Sequence, residues 1–219
     1  MSAREVELKA VVGDPAALEA RLDARGAVRG FRGRMSDRRY DVPSRALEAE
    51  DRVLRVRAFG PAPGSPGRQA ELAWKGPTLR EDGYKVREEL QVVVDDASSA
   101  ATILARLGFC VTDAIDRCVE FFSLEGAALR LEWYPRMDVL LEVEGAPPAI
   151  EAAVTASGVP RADFLPDRLL DFAARYRQRT GRVPALNLAS LGGEAPAWPA
   201  WGAGADGPRL APTGGRTEP

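Results

Sequence analysis

Only three of the 30 basic residues in the chain are lysine, Lys9, Lys75 and Lys85; the rest are arginine. Lysine is a compact point charge and arginine a planar fork, and both bind phosphate oxygens in their different ways. All three lysines recur in one setting, a stretch where charged and apolar residues alternate, so that one strand face carries the charge. "EVELKA" (5–10) sets Glu5, Glu7 and Lys9 against Val6, Leu8 and Ala10. "RQAELAWK" (68–75) ends on Lys75, and "YKVREELQVVV" (84–94) sets Lys85, Arg87 and Glu89 against Val86, Leu90 and Val92. Other alternating stretches add Arg55 and Arg57, Arg117, Arg130 and Glu132, and finally Glu142 and Glu144.

Carboxylates dominate the first and last of these stretches and cations the middle ones. Like charges gathered on a buried surface are costly unless they find partners. The cations therefore call for a polyanion, and the acids for cations from solution. A triphosphate carrying a divalent metal meets both demands: Lys and Arg hold phosphate oxygens, and Glu holds a metal that bridges to them. Taken singly, each stretch is better read as a solvated strand face, or as an edge strand guarded by charge; it is the joint pattern that is specific.

The remaining chemistry narrows the choice. The chain contains no histidine, which removes Ser-His-Asp and Cys-His catalysis and every His-ligated metal. Its two cysteines, Cys110 and Cys118, are too few for a disulfide framework or a zinc site, and read as thiols of a reducing, cytoplasmic protein. A metal here has oxygen ligands, which favours Mg²⁺, Mn²⁺ or Ca²⁺. A net charge of −2 gives no global field for nucleic acid. No run of about 18 apolar residues predicts a membrane span, and no basic-then-apolar leader is visible at the start.

These residues have to be positioned by strands. The alternation predicts eight, at about 4–12, 27–40, 51–59, 68–75, 84–94, 116–124, 127–134 and 138–144. Helices are expected between and after them. The first follows Asp14 as N-cap and Pro15, and ends before Gly26; others are expected over about 97–107, 148–157 and 166–180. "GPAPGSPG" (60–67) reads as a flexible connector. Eight strands with helices outside argue for an α+β fold built on a closed, eight-stranded antiparallel barrel. If its apolar faces pack outward on the helices, its charged faces line a polar tunnel. From residue 184 the sequence turns Gly-, Pro- and Ala-rich without periodicity. The expected organisation is thus a tunnel domain over 1–183 and a disordered tail over 184–219, with Trp198 and Trp201 as stray aromatics or a short docking motif.

The pieces "EVELK" (5–9), "SDRRYDVP" (36–43), "LRVR" (54–57), "WKGP" (74–77), "VREEL" (86–90), "LARLGF" (104–109) and "LLEVE" (140–144) together resemble the CYTH superfamily of triphosphate tunnel metalloenzymes. The resemblance covers about residues 4–180, and "KGP" and "LGF" make it most similar to the class IV adenylate cyclases. It implies an eight-stranded triphosphate tunnel, use of Mg²⁺ or Mn²⁺, a triphosphate substrate such as ATP or polyphosphate, and a possible homodimer. By position it implies metal ligation by Glu5, Glu7, Glu142 and Glu144, with Glu89 and Glu132 as further acids. Lys9, Arg55, Arg57, Lys75, Lys85, Arg87, Arg117 and Arg130 would bind the triphosphate. Glu132 stands where the family has Asp, and Asp116 where a basic residue usually precedes the position of Arg117.

Two reactions suit such a site. In a cyclase the ribose 3′-oxygen attacks the α-phosphorus; in a triphosphatase water attacks the γ-phosphorus. A lysine with a lowered pKa can serve as base, and Lys9, near other cations, is the expected one; Glu5 and Glu7 join it as catalytic candidates. A non-catalytic binder of polyphosphate or nucleotide is the third reading. The retained acids Glu5, Glu7, Glu142 and Glu144 favour an enzyme over it.

Overall fold

A computed structural model describes residues 3–203. All eight expected strands are present, as β1 (Ala3–Val11), β2 (Val28–Asp41), β3 (Val53–Pro61), β4 (Ala70–Lys75), β6 (Tyr84–Val94), β7 (Cys110–Leu124), β8 (Ala127–Trp133) and β9 (Leu140–Glu144). A further three-residue strand, β5 (Leu79–Glu81), pairs with β6 as a short flange. The eight pair antiparallel in the order β1-β9-β8-β7-β2-β3-β4-β6, and β6 pairs back onto β1, so the barrel is closed. Closure removes the two long edges that an open eight-stranded sheet would expose.

Helices stop and start where local chemistry dictates. The Asp14 side chain accepts from the Ala17 N–H at 3.0 Å and opens α1 (Pro15–Ala24). After the four-residue α2 (Ala46–Ala49), Asp96 does the same for α3 (Ala97–Arg106), accepting from Ser98 and Ser99. Gly158 and Gly181, in the left-handed region, end α4 (Pro147–Ser157) and α5 (Leu169–Thr180).

Outward-facing residues form the core. Leu8, Ala10, Leu129, Leu131, Leu141 and Val143 pack against Leu18 and Leu22 of α1 and Ile150 and Ala153 of α4. Val56 and Ala58 pack against Ala97, Ala100 and Leu104 of α3. The apolar sides of β1, β3, β8 and β9 are thus spent on helices, Leu90 and Val92 of β6 stay exposed, and the charged sides are left inside. One end of the interior is stoppered by Phe31, Phe59 and Phe121, with Arg68 stacked at 4.9 and 5.2 Å over the last two.

The expected disordered tail is corrected for residues 184–203. A 3₁₀ turn (Leu188–Leu191) and α6 (Ala200–Ala203) lie in it, and Trp198 and Trp201 pack on the main core. Trp201 meets Trp133 edge-on at 5.5 Å, while Arg32 and Arg34 stack on Trp201 and Trp198. Two aromatics with cationic partners order a segment whose Gly/Pro composition shows no periodicity. The rest of the expected tail, 204–219, lies outside the described residues. Among the described residues no helix is long and apolar enough to cross a membrane.

Candidate active site

The strand register brings the charged residues face to face. Glu7 pairs with Lys85, Glu5 with Arg87, Lys9 with Glu142, Arg130 with Glu142, Asp37 with Arg57, and Lys75 with Glu89. Because side chains alternate with period 2, these pairs all point to one side, the inside of the barrel. A cavity of 730 Å³ occupies that interior and runs out to the exposed residues Glu48, Arg168 and Ser190. Of the expected site residues, Glu7, Lys9, Arg55, Arg57, Lys75, Lys85, Arg87, Arg117, Arg130, Glu132 and Glu142 line it. Glu5, Glu89 and Glu144 are not among the residues that line it.

These groups form one alternating circuit. From Glu5 it runs to Lys75 at 2.5 Å, on to Glu89 at 3.2 Å, and to Arg55 at 3.3 Å. Arg55 lies 3.9 Å from Asp37, which also takes Arg57 at 2.7 Å and Arg117 at 3.1 Å. Arg117 reaches Glu132 at 3.0 Å, and Glu132 also takes Arg130 at 2.8 Å and the Tyr134 hydroxyl at 2.6 Å. Arg130 and Lys9 share Glu142, and Lys9 and Lys85 share Glu7. This corrects the expectation that cations and acids are segregated and both wait for partners. β1, rich in acid, sits between β6 and β9, so cations and carboxylates interleave and neutralise one another.

The electrostatics follow from that circuit. Burial alone pushes Glu7 up, but Lys9, Lys85 and Lys75 outweigh it and hold its carboxyl well below the usual range. Asp37, equally buried, is held well below its usual value by Arg57, Arg117 and Arg55. Burial, Arg130 and Lys9 leave Glu142 at about 2, the cations winning. Lys9 is not the lowered lysine that was expected. Burial works to lower it, yet Glu142, Glu7 and Glu132 raise it above the ordinary lysine range. Lys85 is the lysine pushed down, by burial and by Lys9. A firmly charged Lys9 suits holding an anion rather than accepting a proton.

One expected role changes on contact detail. Arg87 lines the cavity but donates to the carbonyls of Gly76 (2.6 Å) and Asp51, so it fixes the wall as much as it faces the interior. Asp116, in the position noted for a missing base, faces outward; it takes Arg38 at 2.9 Å and the Leu188 N–H at 3.1 Å.

The acids do not stand as a ready-made metal cage. Among the described residues no three Asp, Glu, Cys or His side chains are arranged to hold a metal ion. The reason is that Glu89 and Glu132 are spent on cations, as are Glu5, Glu7 and Glu142. Glu144 differs. It forms no ion pair among the described residues, and burial, then Glu5 and Glu142, push it up to about 7. Glu5 is likewise raised by burial and Glu7, against Lys75. Glu144, a carboxylate raised by its acidic neighbours and without an ion pair among the described residues, is the oxygen ligand that fits a hard divalent cation, with Glu5 beside it.

Asp37 and Arg39 also face the cavity and carried no sequence-based role. "SDRRYD" has charge on both strand faces, so alternation gives no apolar side to orient it. The signal available was pairing: an acid amid arginines, on a strand expected beside Arg55 and Arg57.

The CYTH domain family model matches residues 3–134, more than half of the chain. The chain belongs to the CYTH domain family. Solved structures share the fold of this CYTH protein at low identity. A candidate adenylate cyclase from Vibrio parahaemolyticus aligns with a TM-score of 0.67 at 18% identity, over 80% of this chain and 99% of that one. Pyrococcus horikoshii protein PH1819 gives 0.64 at 22%, over 78% and 98%. A Hippeastrum adenylyl cyclase candidate, described as having a dominant triphosphatase activity, gives 0.54 at 16%, over 84% and 99%. No curated protein matches the sequence.

Proposed function

We propose that this CYTH protein is a divalent-metal-dependent enzyme that converts ATP to cyclic AMP and pyrophosphate inside the tunnel. The observation that carries the reading is a pair of orphaned donors. Among the described residues, Arg55 Nε and Arg117 Nη1 are buried without a hydrogen-bond acceptor, in the wall of a cavity ringed by cations. Unmet guanidinium donors are costly and call for an anion with several oxygens. Arg55, Arg57, Lys75 and Arg117, with Lys9, Lys85 and Arg130, would take the phosphates, exchanging carboxylate partners for phosphate oxygens. Arg87 supports that wall.

Glu144 with Glu5, Glu7 and Glu142 would hold Mg²⁺ or Mn²⁺, which supplies charge neutralisation on the reacting phosphates. The surrounding cations hold the triphosphate for in-line displacement and offset the charge that develops on the leaving pyrophosphate. Lys9, charged between Glu7 and Glu142, positions phosphate and does not serve as the base.

Hydrolysis of a triphosphate is the second reading, favoured by the triphosphatase activity described for the Hippeastrum neighbour. Product analysis separates the two. The purified protein is incubated with ATP or tripolyphosphate and Mg²⁺ or Mn²⁺. Cyclic AMP with stoichiometric pyrophosphate is expected; orthophosphate from either substrate establishes the hydrolase instead. Binding without turnover leaves a non-catalytic binder.

A further inference from the structure

The cavity lining combines charged residues, among them Arg39, Arg52 and Asp113, with an apolar ledge of Ile115, Leu169, Pro184 and Leu186. Ile115, Leu169 and Leu186 belong to one packed apolar cluster. Three of the four ledge residues lie beyond 134, where the family match ends.

The strap that carries Pro184 and Leu186 is built into the barrel. β8 ends at Trp133, so the first half of β7 has no strand partner on that side. Leu186 fills the gap: its carbonyl accepts from the Asp116 N–H at 2.8 Å, and the Asn187 amide donates to the Ala114 carbonyl at 3.2 Å. Ala185 exchanges backbone hydrogen bonds with Arg136, at 2.8 and 3.1 Å. At its far end the strap is pinned by Trp198 and Trp201, and by Arg34 donating to the Gly202 carbonyl at 2.8 Å. Leu186 is therefore held in place at the rim, half-buried, with the buried Ile115 and half-buried Leu169 beside it.

An inorganic polyphosphate presents only charged oxygens, and an apolar ledge offers it nothing. The ledge does suit a carbon-rich group joined to the phosphates. At 730 Å³ the cavity falls within the ~300–1,000 Å³ that encloses an organic ligand, leaving room beyond the phosphate-binding circuit. We infer that the strap reads the organic end of the substrate: the base of a nucleoside triphosphate packs on Leu186, Ile115 and Leu169. Leu186 is then a specificity-determining residue that favours ATP over tripolyphosphate. The inference rests on the triphosphate reading above.

The test is calorimetric titration of the full chain with ATP and, separately, with tripolyphosphate, both with Mg²⁺. Leu186→Ser is expected to weaken ATP about tenfold and to leave tripolyphosphate within about twofold, the scale of losing part of one apolar contact. Leu186→Met, which keeps the apolar volume, is expected to retain ATP affinity. Equal weakening of both ligands, or unchanged ATP affinity, overturns the inference. Because Leu186→Ser can disturb the strap itself, Leu169→Ser on α5 repeats the measurement from a different element, with the same outcomes decisive. Wild-type protein that binds tripolyphosphate but not ATP overturns the inference alone. Wild-type protein that binds neither overturns the triphosphate reading with it.

Discussion

Asp37 and Glu144 are carboxylates inside one barrel, and their surroundings drive them in opposite directions. Asp37 sits among Arg55, Arg57 and Arg117 and stays ionised far below its ordinary range. Glu144 faces Glu5 and Glu142 without an ion pair of its own and is pushed up to about 7. The tunnel as a whole balances its charge, yet the balance is uneven along it. The arginine cluster has donors to spare, and at the β1–β9 seam one carboxylate, Glu144, has no ion pair among the described residues. A triphosphate with a bound divalent cation has the complementary distribution, with oxygens for the first region and a cation for the second.

The sharpest way to break the comparison is to remove the anion that the protein supplies to its own arginines. Asp37→Asn keeps the shape and leaves three buried guanidinium groups short of a counter-charge. Breaking a buried pair from one side costs about 3–5 kcal/mol, so a loss of that order is expected in urea unfolding. The same variant is expected to gain more stability from tripolyphosphate than wild type does, because the ligand replaces the missing carboxylate. Equal ligand-induced gains in the two proteins would mean that Asp37 and phosphate do not compete for the same arginines.

Arg57→Ala removes a cation from the same cluster. Deleting one positioned charge from such a site typically lowers turnover about 10²–10³-fold, roughly 3–4 kcal/mol of transition-state stabilisation. The paired acids complicate its stability, since Asp37 keeps Arg117 while Glu71, 3.7 Å from Arg57, still has Arg68 at 2.6 Å. Turnover, measured at saturating substrate beside the circular dichroism spectrum, is therefore the informative readout. A fall below tenfold in a folded variant would take Arg57 out of the phosphate-binding set.

The contrast also shows what a sequence discloses. Strands with one apolar and one charged face, such as β1 and β6, announce both their period and their inward residues, so the barrel and most of the charged lining of its cavity were legible. β2 was found as a strand, but charge on both sides of "SDRRYD" hid Asp37, the centre of the arginine cluster. The pairing of acids with cations was hidden too, because it depends on which strands become neighbours, a property of closure rather than of any one stretch. Lys9 illustrates the cost. Near other cations in the sequence pattern, it invites a lowered pKa, whereas the β1–β9 register sets it against Glu142 and raises it. The strap over 184–203 was missed because its order rests on two tryptophans meeting distant arginines, and such contacts leave no period in a Gly/Pro-rich run.

Glu144 offers the smaller and more selective test. Its carboxyl is raised from an ordinary 4.5 to about 7 in the folded protein. Between those values the folded state holds a proton that the unfolded state has released, so stability falls as pH rises through the window. In the presence of a chelator, wild-type protein is expected to lose on the order of 2 kcal/mol between about pH 4.5 and 7 from this group, against the stabilising trend of the lowered carboxylates. Glu144→Gln removes the titration, so its stability should fall less across that window and exceed wild type above it. Adding Mg²⁺ should restore wild type above pH 7 and leave the variant nearly unmoved, since a bound cation supplies the charge that the glutamine no longer needs. Parallel pH–stability curves for the two proteins in chelator would show that Glu144 is not the uncompensated carboxylate of the seam. A Mg²⁺ effect of equal size in both would place the cation on other ligands.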